Sequence, residues 1–250
     1  MAHVTADPGA IIGRQRDKFD SLWSGGHRQP MSADRIRFRL WAKYLVEPIV
    51  EVGSGDGLLA RTFPSLRILS VDQSTVGLRT TPDPRVAATL EHLPIRSGHA
   101  RTIVAAEVLE HTGDPERALA ECRRIARPDA RLLLSVPTLP LAAPEALVAR
   151  RRIGEWPTAD NLPRWDPHHE RRYDPEELLA QLSRAGWDAT EVIPLFGTAT
   201  TALLCIGEPI TRNLFGRTIP LAQYGARLDR LWSRLDRHSS LAVVCRPTAV

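Results

Sequence analysis

Between Ile49 and Val136 short apolar runs alternate with segments whose apolar residues return at helical spacing. That is the texture of buried parallel strands joined by crossover helices. The runs predict strands at Ile49 to Val52, Arg67 to Val71, Arg85 to Thr89, Thr102 to Ala106 and Leu132 to Val136, with a helix from Leu58 to Arg61 after the first. The clearest helix precedes the last of these strands. Asp114 and Pro115 open it, Ala118, Leu119, Cys122, Ile125 and Ala126 form its apolar stripe, and Pro128 halts the pattern. Further on, Asp174 caps a helix with Pro175 first and Glu177 three residues on; Leu178, Leu179 and Leu182 face inward and Gly186 ends it. Strands at Asp188 to Pro194 and Leu241 to Cys245 enclose a long connection that includes a helix over Leu221 to Leu235.

Outside this frame the pattern is looser. A helix around Ile11 to Trp23 ends before Gly25 and Gly26. A second, capped by Ser32 or Asp34, carries Ile36, Leu40, Trp41 and Tyr44 on one face and stops before Pro48. The stretch from Pro137 to Tyr173 is rich in Pro and Arg and shows no sustained period, so it is expected to be an irregular insertion that serves as a lid.

With 250 residues, 43% of them hydrophobic, the chain can bury one large core. No run approaches the roughly 18 apolar residues of a membrane span, and the amino terminus lacks a secretory pattern; a soluble, cytoplasmic protein is expected. Cys122, Cys205 and Cys245 lie far apart, outside any metal or disulfide spacing. The net charge of +4 comes from arginines interleaved with acids, a mixed solvated surface that predicts no nucleic-acid partner.

The chemistry concentrates where the first strand runs into Gly53-Ser54-Gly55-Asp56-Gly57. Glycines let the backbone turn sharply and a ligand lie against it. Asp72 follows nineteen positions after Gly53, at the predicted end of the second strand, where a carboxylate can accept hydrogen bonds from both ribose hydroxyls of a nucleoside. Leu58 stands where a dinucleotide fingerprint needs its third glycine, and Glu51 and Asp56 would repel a pyrophosphate. A cofactor with an ammonium and a sulfonium tolerates those acids, which points to S-adenosylmethionine.

These motifs resemble those of the class I S-adenosylmethionine-dependent methyltransferases, in particular the small-molecule, quinone-biosynthesis-like branch (methyltransferase type 11), over Ile49 to Thr138 and more weakly through His168 to Gly186 and the closing strand. The resemblance implies a Rossmann-like, doubly wound seven-stranded sheet with an antiparallel last strand and a helical cap. In it, residues 1–47 form the cap and 48–250 the main domain, with the lid at 137–173 and a helical connection at 196–238. It also implies that Glu51 begins the first motif, that Gly53, Ser54, Gly55 and Gly57 surround the methionine part, and that Asp72 binds the ribose with Gln73 beside the adenine. Thr89 stands where the family has an acid for the adenine amino group, so that contact passes to the backbone of Leu90 or to Glu91. Ala106-Glu107-Val108-Leu109-Glu110-His111 matches the family signature after the fourth strand, beside the transferred methyl, and puts Glu107 among the cofactor residues.

Methyl transfer needs an aligned nucleophile and, for a hydroxyl, removal of a proton. His111 is the first candidate base, and His168 and His169 of the insertion are the next. Glu107, Glu110 and His111 with an insertion histidine resemble the metal set of small-RNA 2′-O-methyltransferases, but no metal is assigned from the sequence. The absence of an Asn-Pro-Pro-Tyr sequence after the fourth strand disfavours amino-group methylation of adenine or glutamine. A small-molecule hydroxyl is therefore the expected acceptor, with RNA 2′-O-methylation or noncatalytic cofactor binding as alternatives. Trp156, Trp165, Phe196 and Thr198 to Ile206 are candidates to line its pocket.

Overall fold

Ile49, Val50, Glu51 and Val52 form β1 (Ile49–Val52), and every one of them is buried. The reason is position: β2 (Ile68–Asp72) pairs parallel on one side and β4 (Ala100–Ala106) on the other. The computed structural model describes residues 8–25, 31–139, 141–165, 169–215, 221, 224–225, 229 and 238–249. With β3 (Arg85–Ala87), β5 (Ala126–Pro137), β6 (Trp187–Leu195) and β7 (Ser240–Pro247), the sheet has seven strands in the order β3-β2-β1-β4-β5-β7-β6. β7 runs antiparallel to β5 and β6, as expected for the last strand. The order reverses between β1 and β4, which opens a crevice beyond their carboxyl ends.

Helices cover both faces. On one, Ala118, Leu119, Cys122 and Ile125 of α5 (Pro115–Ile125) and Leu178 and Leu182 of α8 (Pro175–Arg184) pack with Trp187 on the sheet. On the other, Phe38 and Trp41 of α2 (Ser32–Trp41) and Leu58, Leu59 and Ala60 of α3 (Leu58–Thr62) pack beside Ile49, Val104 and Val244. The predicted caps are in place: the Asp114 carboxylate accepts from Arg117 N and that of Asp174 from Glu176 N and Glu177 N. Gly186 follows α8 with φ +80, the left-handed conformation that terminates helices. For α2 the cap is Met31 rather than Ser32 or Asp34, with Asp34 accepting from the Met31 N–H at 3.0 Å.

The insertion is more regular than its sequence suggests. It contains α6 (Ala143–Ile153) and α7 (Leu162–Trp165). Leu141, Ala149 and Leu162 form a small satellite cluster there, with Ala149 the buried hydrophobic residue of α6 among those described, so the helix leaves little periodic trace. Residues 198–215 are continuously helical, through α9 (Thr198–Ala202), a π-helical stretch (Leu203–Gly207) and α10 (Glu208–Phe215). The helix expected over Leu221 to Leu235 lies almost wholly outside the described residues. No described helix is long and apolar enough to cross a membrane.

The loop between β3 and β4 borders the crevice and is held by one ion pair. Glu121 on α5 accepts from Arg124 Nε at 2.8 Å and from Leu93 N at 2.9 Å. Arg124 in turn donates to the carbonyls of Leu93 at 2.9 Å and Ile95 at 2.7 Å. These bonds stabilise the ionised acid and lower the Glu121 pKa from 4.5 to about 2. A depressed carboxyl contributes stability above its unfolded value and loses it as pH falls through the folded one. Glu121→Gln should lower unfolding stability at pH 7 by about 1–3 kcal/mol in urea titration. The gap from wild type should shrink as pH falls from 4.5 towards about 2; a gap unchanged at the acid end would show that charge does not hold the loop.

Candidate functional site

Gly53, Gly55 and Gly57 all have positive φ, at +71, +54 and +75, so the chain turns in a conformation that side chains resist. The amides of Gly53 and Ser54 donate to the Val71 carbonyl at 2.8 and 3.0 Å, pinning the bend to β2. A Cβ on Gly53 would lie 2.2 Å from Val108 Cγ2, and one on Gly55 2.6 Å from Trp23 Cζ2. At the end of β2, Asp72 Oδ2 accepts from Gly55 N at 2.7 Å and Oδ1 from Ser74 N at 2.7 Å. Bend and acid are thus one hydrogen-bonded unit.

This unit is crowded with buried acid. Burial raises the Asp72 carboxyl above its usual range, against the opposing bonds from Ser74 and Gly55. Burial, followed by the neighbouring Asp72 and Asp56, raises Glu51 well above it. Asp56 is paired with Arg61 at 2.8 Å. Glu51 Oε2 and Ser54 Oγ are buried with no hydrogen-bond partner, a costly arrangement that a water, an ion or a ligand would relieve.

The bend opens into a cavity of roughly 720 Å³ over the carboxyl ends of β1, β2 and β4. Gln73, Ala88, Thr89 and Leu90 line it beyond Asp72. Glu91 also lines it, but its Oε1 accepts from Gly113 N at 2.9 Å and Asp114 N at 3.4 Å, so this oxygen holds the turn before α5. Lys18, Phe19, Leu22 and Trp23 of α1 (Pro8–Trp23) form another part of the wall. Ser74 Oγ bonds Asp20 at 2.5 Å, and Gln15 donates to Glu170 at 2.6 Å, tying α1 to the bend and to the insertion.

Directly beside the bend, at the end of the neighbouring strand, stand the residues of the signature after β4. Glu107 has φ +50 and Phe196 φ +58; these are the non-glycine residues with positive φ among those described, and both line the cavity. Backbone strain of this kind concentrates at functional sites. Glu107 Oε1 accepts from Arg37 Nη2 at 3.1 Å and Ser240 Oγ at 2.9 Å. Glu110 is fully buried, and neither carboxylate oxygen has a hydrogen-bond partner. Its Oε1 lies 3.9 Å from His111 Nε2 and 3.8 Å from His169 Nε2, and the two imidazoles stack at 5.2 Å. Burial and the nearby Glu107 raise Glu110 well above the carboxylate range, opposed by Arg37 and Arg172. Ligand atoms of Glu110, His111 and His169 lie within 4.8 Å of one another, close enough to hold one cation.

Of the residues singled out from sequence, Glu51, Gly53, Ser54, Gly55, Asp72, Gln73, Thr89, Leu90, Glu107, His111 and His169 line this one cavity. Gly57 does not; it caps α3, where a Cβ would lie 2.6 Å from Thr81 Cγ2. His168 lies outside the described residues, as does the side chain of Trp165. Trp156 is misplaced by the sequence reading: it is 54% exposed, lies under the Arg150 guanidinium at 4.6 Å, and borders a separate outer cavity with Leu139 and Leu141. Phe196, Thr201, Leu204 and Cys205 do reach the main cavity. Sequence reasoning missed Arg37, Glu145 and Arg172. The trace of Arg37 is its place beside Phe38 on the inner face of α2; one arginine among many gives no such signal for Arg172.

Residues 50–134 match the family model described as a methyltransferase domain. A Mycolicibacterium smegmatis protein named as a probable S-adenosylmethionine-dependent methyltransferase is 28% identical over 163 residues, 62% of this chain and 58% of that protein. A ubiquinone biosynthesis O-methyltransferase of Xanthomonas oryzae is 28% identical over 149 residues, 55% of this chain and 61% of its own. The chain thus spans little more than half the length of these relatives. The fold is shared with a Burkholderia thailandensis 1,6-didemethyltoxoflavin-N1-methyltransferase solved with S-adenosylhomocysteine (TM-score 0.63, 15% identity, 100% of this chain and 94% of that one). It is shared equally with the [4+2]-cyclase SpnF (TM-score 0.62, 16% identity, 100% of both chains).

The geometry of the bend separates two effects of a methyl group. Gly53→Ala adds both left-handed strain and a clash with Val108, whereas Gly98, with φ +63, has nothing within 4 Å of its Cβ position. Gly53→Ala should therefore destabilise by about 2–4 kcal/mol and Gly98→Ala by about 1 kcal/mol in urea titration. Equal losses would mean that Val108 yields and the bend is not tightly packed.

Proposed function

We propose that this chain, which carries a class I S-adenosylmethionine-dependent methyltransferase domain, transfers a methyl group from that cofactor to a hydroxyl oxygen of a small molecule. The observation that carries the proposal is the bend bonded to Asp72 at the wall of a cavity that holds Glu51 Oε2 and Ser54 Oγ without partners. Those atoms suit an ammonium and a carboxylate, the methionine part of the cofactor. Each Asp72 oxygen accepts one backbone bond and keeps a lone pair for a ribose hydroxyl. Gln73, Thr89 and the Leu90 backbone would flank the adenine. When bound, the cofactor supplies an electrophilic methyl on a sulfonium.

The protein's own part is alignment and proton removal. Glu107, held by Arg37 and Ser240, would border the reacting end, and residues 1–47 with the 137–173 insertion would form the cap over 48–250. His111, stacked on His169, would take the acceptor's proton. A second reading rests on the unpartnered oxygens of Glu110: a hard divalent cation held by Glu110, His111 and His169 would orient the acceptor oxygen and lower its pKa. Since SpnF has this fold and is named a cyclase, fold alone does not assign methyl transfer. Release of S-adenosylhomocysteine does.

Asp72→Ala should weaken S-adenosylmethionine binding by at least about tenfold in calorimetry, the equivalent of one buried charged hydrogen bond; unchanged affinity would sink the cofactor assignment. His111→Ala should slow turnover by about a hundredfold with cofactor affinity nearly intact. Turnover abolished by a chelator and restored by Mg²⁺ or Mn²⁺ would assign the cluster to the cation, whereas indifference to chelation leaves His111 as the base.

A further inference from the structure

The cavity wall that includes the end of β4 carries two buried ion pairs. Arg37 Nη2 meets Glu107 at 3.1 Å and Arg172 Nη2 meets Glu145 at 2.6 Å, with both guanidinium side chains only 6% exposed. All four residues line the cavity. Two of their polar atoms are buried without a hydrogen-bond partner: Arg37 Nε, a donor, and Glu145 Oε2, an acceptor. They come from α2 and α6, elements far apart in sequence that both reach this space.

Resting on the methyl-transfer reading, we propose that the acceptor is a neutral polyhydroxylated molecule, a sugar or polyol, whose hydroxyl groups bridge the Arg37–Glu107 and Arg172–Glu145 pairs. A hydroxyl donates and accepts at once, so one group can serve a guanidinium N–H and a carboxylate oxygen, and adjacent hydroxyls can serve both pairs. A flat apolar aromatic would supply neither an acceptor for Arg37 Nε nor a donor for Glu145 Oε2 and would leave both unpaired. Charged acceptors fit no better. Each guanidinium already has its carboxylate, so these two pairs offer no unbalanced charge to a charged acceptor. The ring of Phe196, 6.0 Å from the Arg37 guanidinium, offers an apolar surface on the same wall for the C–H face of a sugar ring.

The test measures S-adenosylhomocysteine release by the purified chain with methyl α-D-glucopyranoside, methyl α-L-rhamnopyranoside and myo-inositol, against catechol and tyramine. At least one of the polyols should raise release well above the acceptor-free rate while catechol and tyramine do not. Glu145→Gln should then raise the KM for that polyol by about tenfold, as expected for a charged hydrogen bond weakened to a neutral one, and leave the KM for S-adenosylmethionine unchanged. Methylation of catechol or tyramine alone, or cofactor binding with no probe methylated, overturns the polyol proposal and leaves the cofactor reading standing. A polyol methylated with its KM indifferent to Glu145→Gln overturns the assignment to these ion pairs. Failure to bind S-adenosylmethionine at all overturns both readings.

Discussion

The Asp72 carboxylate bonded to the Gly55 amide adds a side-chain link to the strand ladder and to the Gly53 and Ser54 amides that already bond the Val71 carbonyl. Through it the left-handed bend after β1 and the carboxyl end of β2 become one rigid surface. The bond also explains how an acid can stand nearly buried there, since backbone N–H donors replace part of its lost hydration. Neighbouring features are arranged around it. Ser74 caps the following helix, α4 (Thr75–Thr80), and receives α1 through Asp20, and Trp23 closes against the space above Gly55.

The same cavity holds two electrostatic regimes. Beside the bend, Glu51 and Asp72 are buried close to the Asp56–Arg61 pair, so burial resists ionisation of Glu51 and Asp72 and a positively charged ligand would relieve it. Elsewhere on the wall Arg37 and Arg172 each have a carboxylate, and Arg37 Nε and Glu145 Oε2 are left without hydrogen bonds. The imidazoles of His111 and His169 also line the cavity, with Glu110 buried beside them.

Local chemistry in the sequence reached far into the site. The strand positions followed from β-branched and leucine runs, the caps from Asp114 and Asp174, and the bend from glycines that need positive φ. Each of these depends on residues within a few positions of one another, which is what a linear pattern can record. α6 escaped because its hydrophobic residues join a small satellite cluster rather than the main core, and Trp156 was misassigned because a tryptophan's sequence neighbours do not reveal whether it packs inward or against an arginine at the surface.

What the sequence determined by itself is therefore the order and type of the strands, the turn after β1, and the acid placed to meet it, because hydrophobic period, glycine conformation and capping are local properties. Only the tertiary structure decided that Arg37 from α2, Glu107 after β4, Ser240 at the start of β7 and the Arg172–Glu145 pair surround one space. It likewise decided that Glu110 is sealed away with its oxygens unpartnered. Such facts arise when distant segments exclude water from a shared volume, and no spacing along the chain encodes which charges will be left facing each other there.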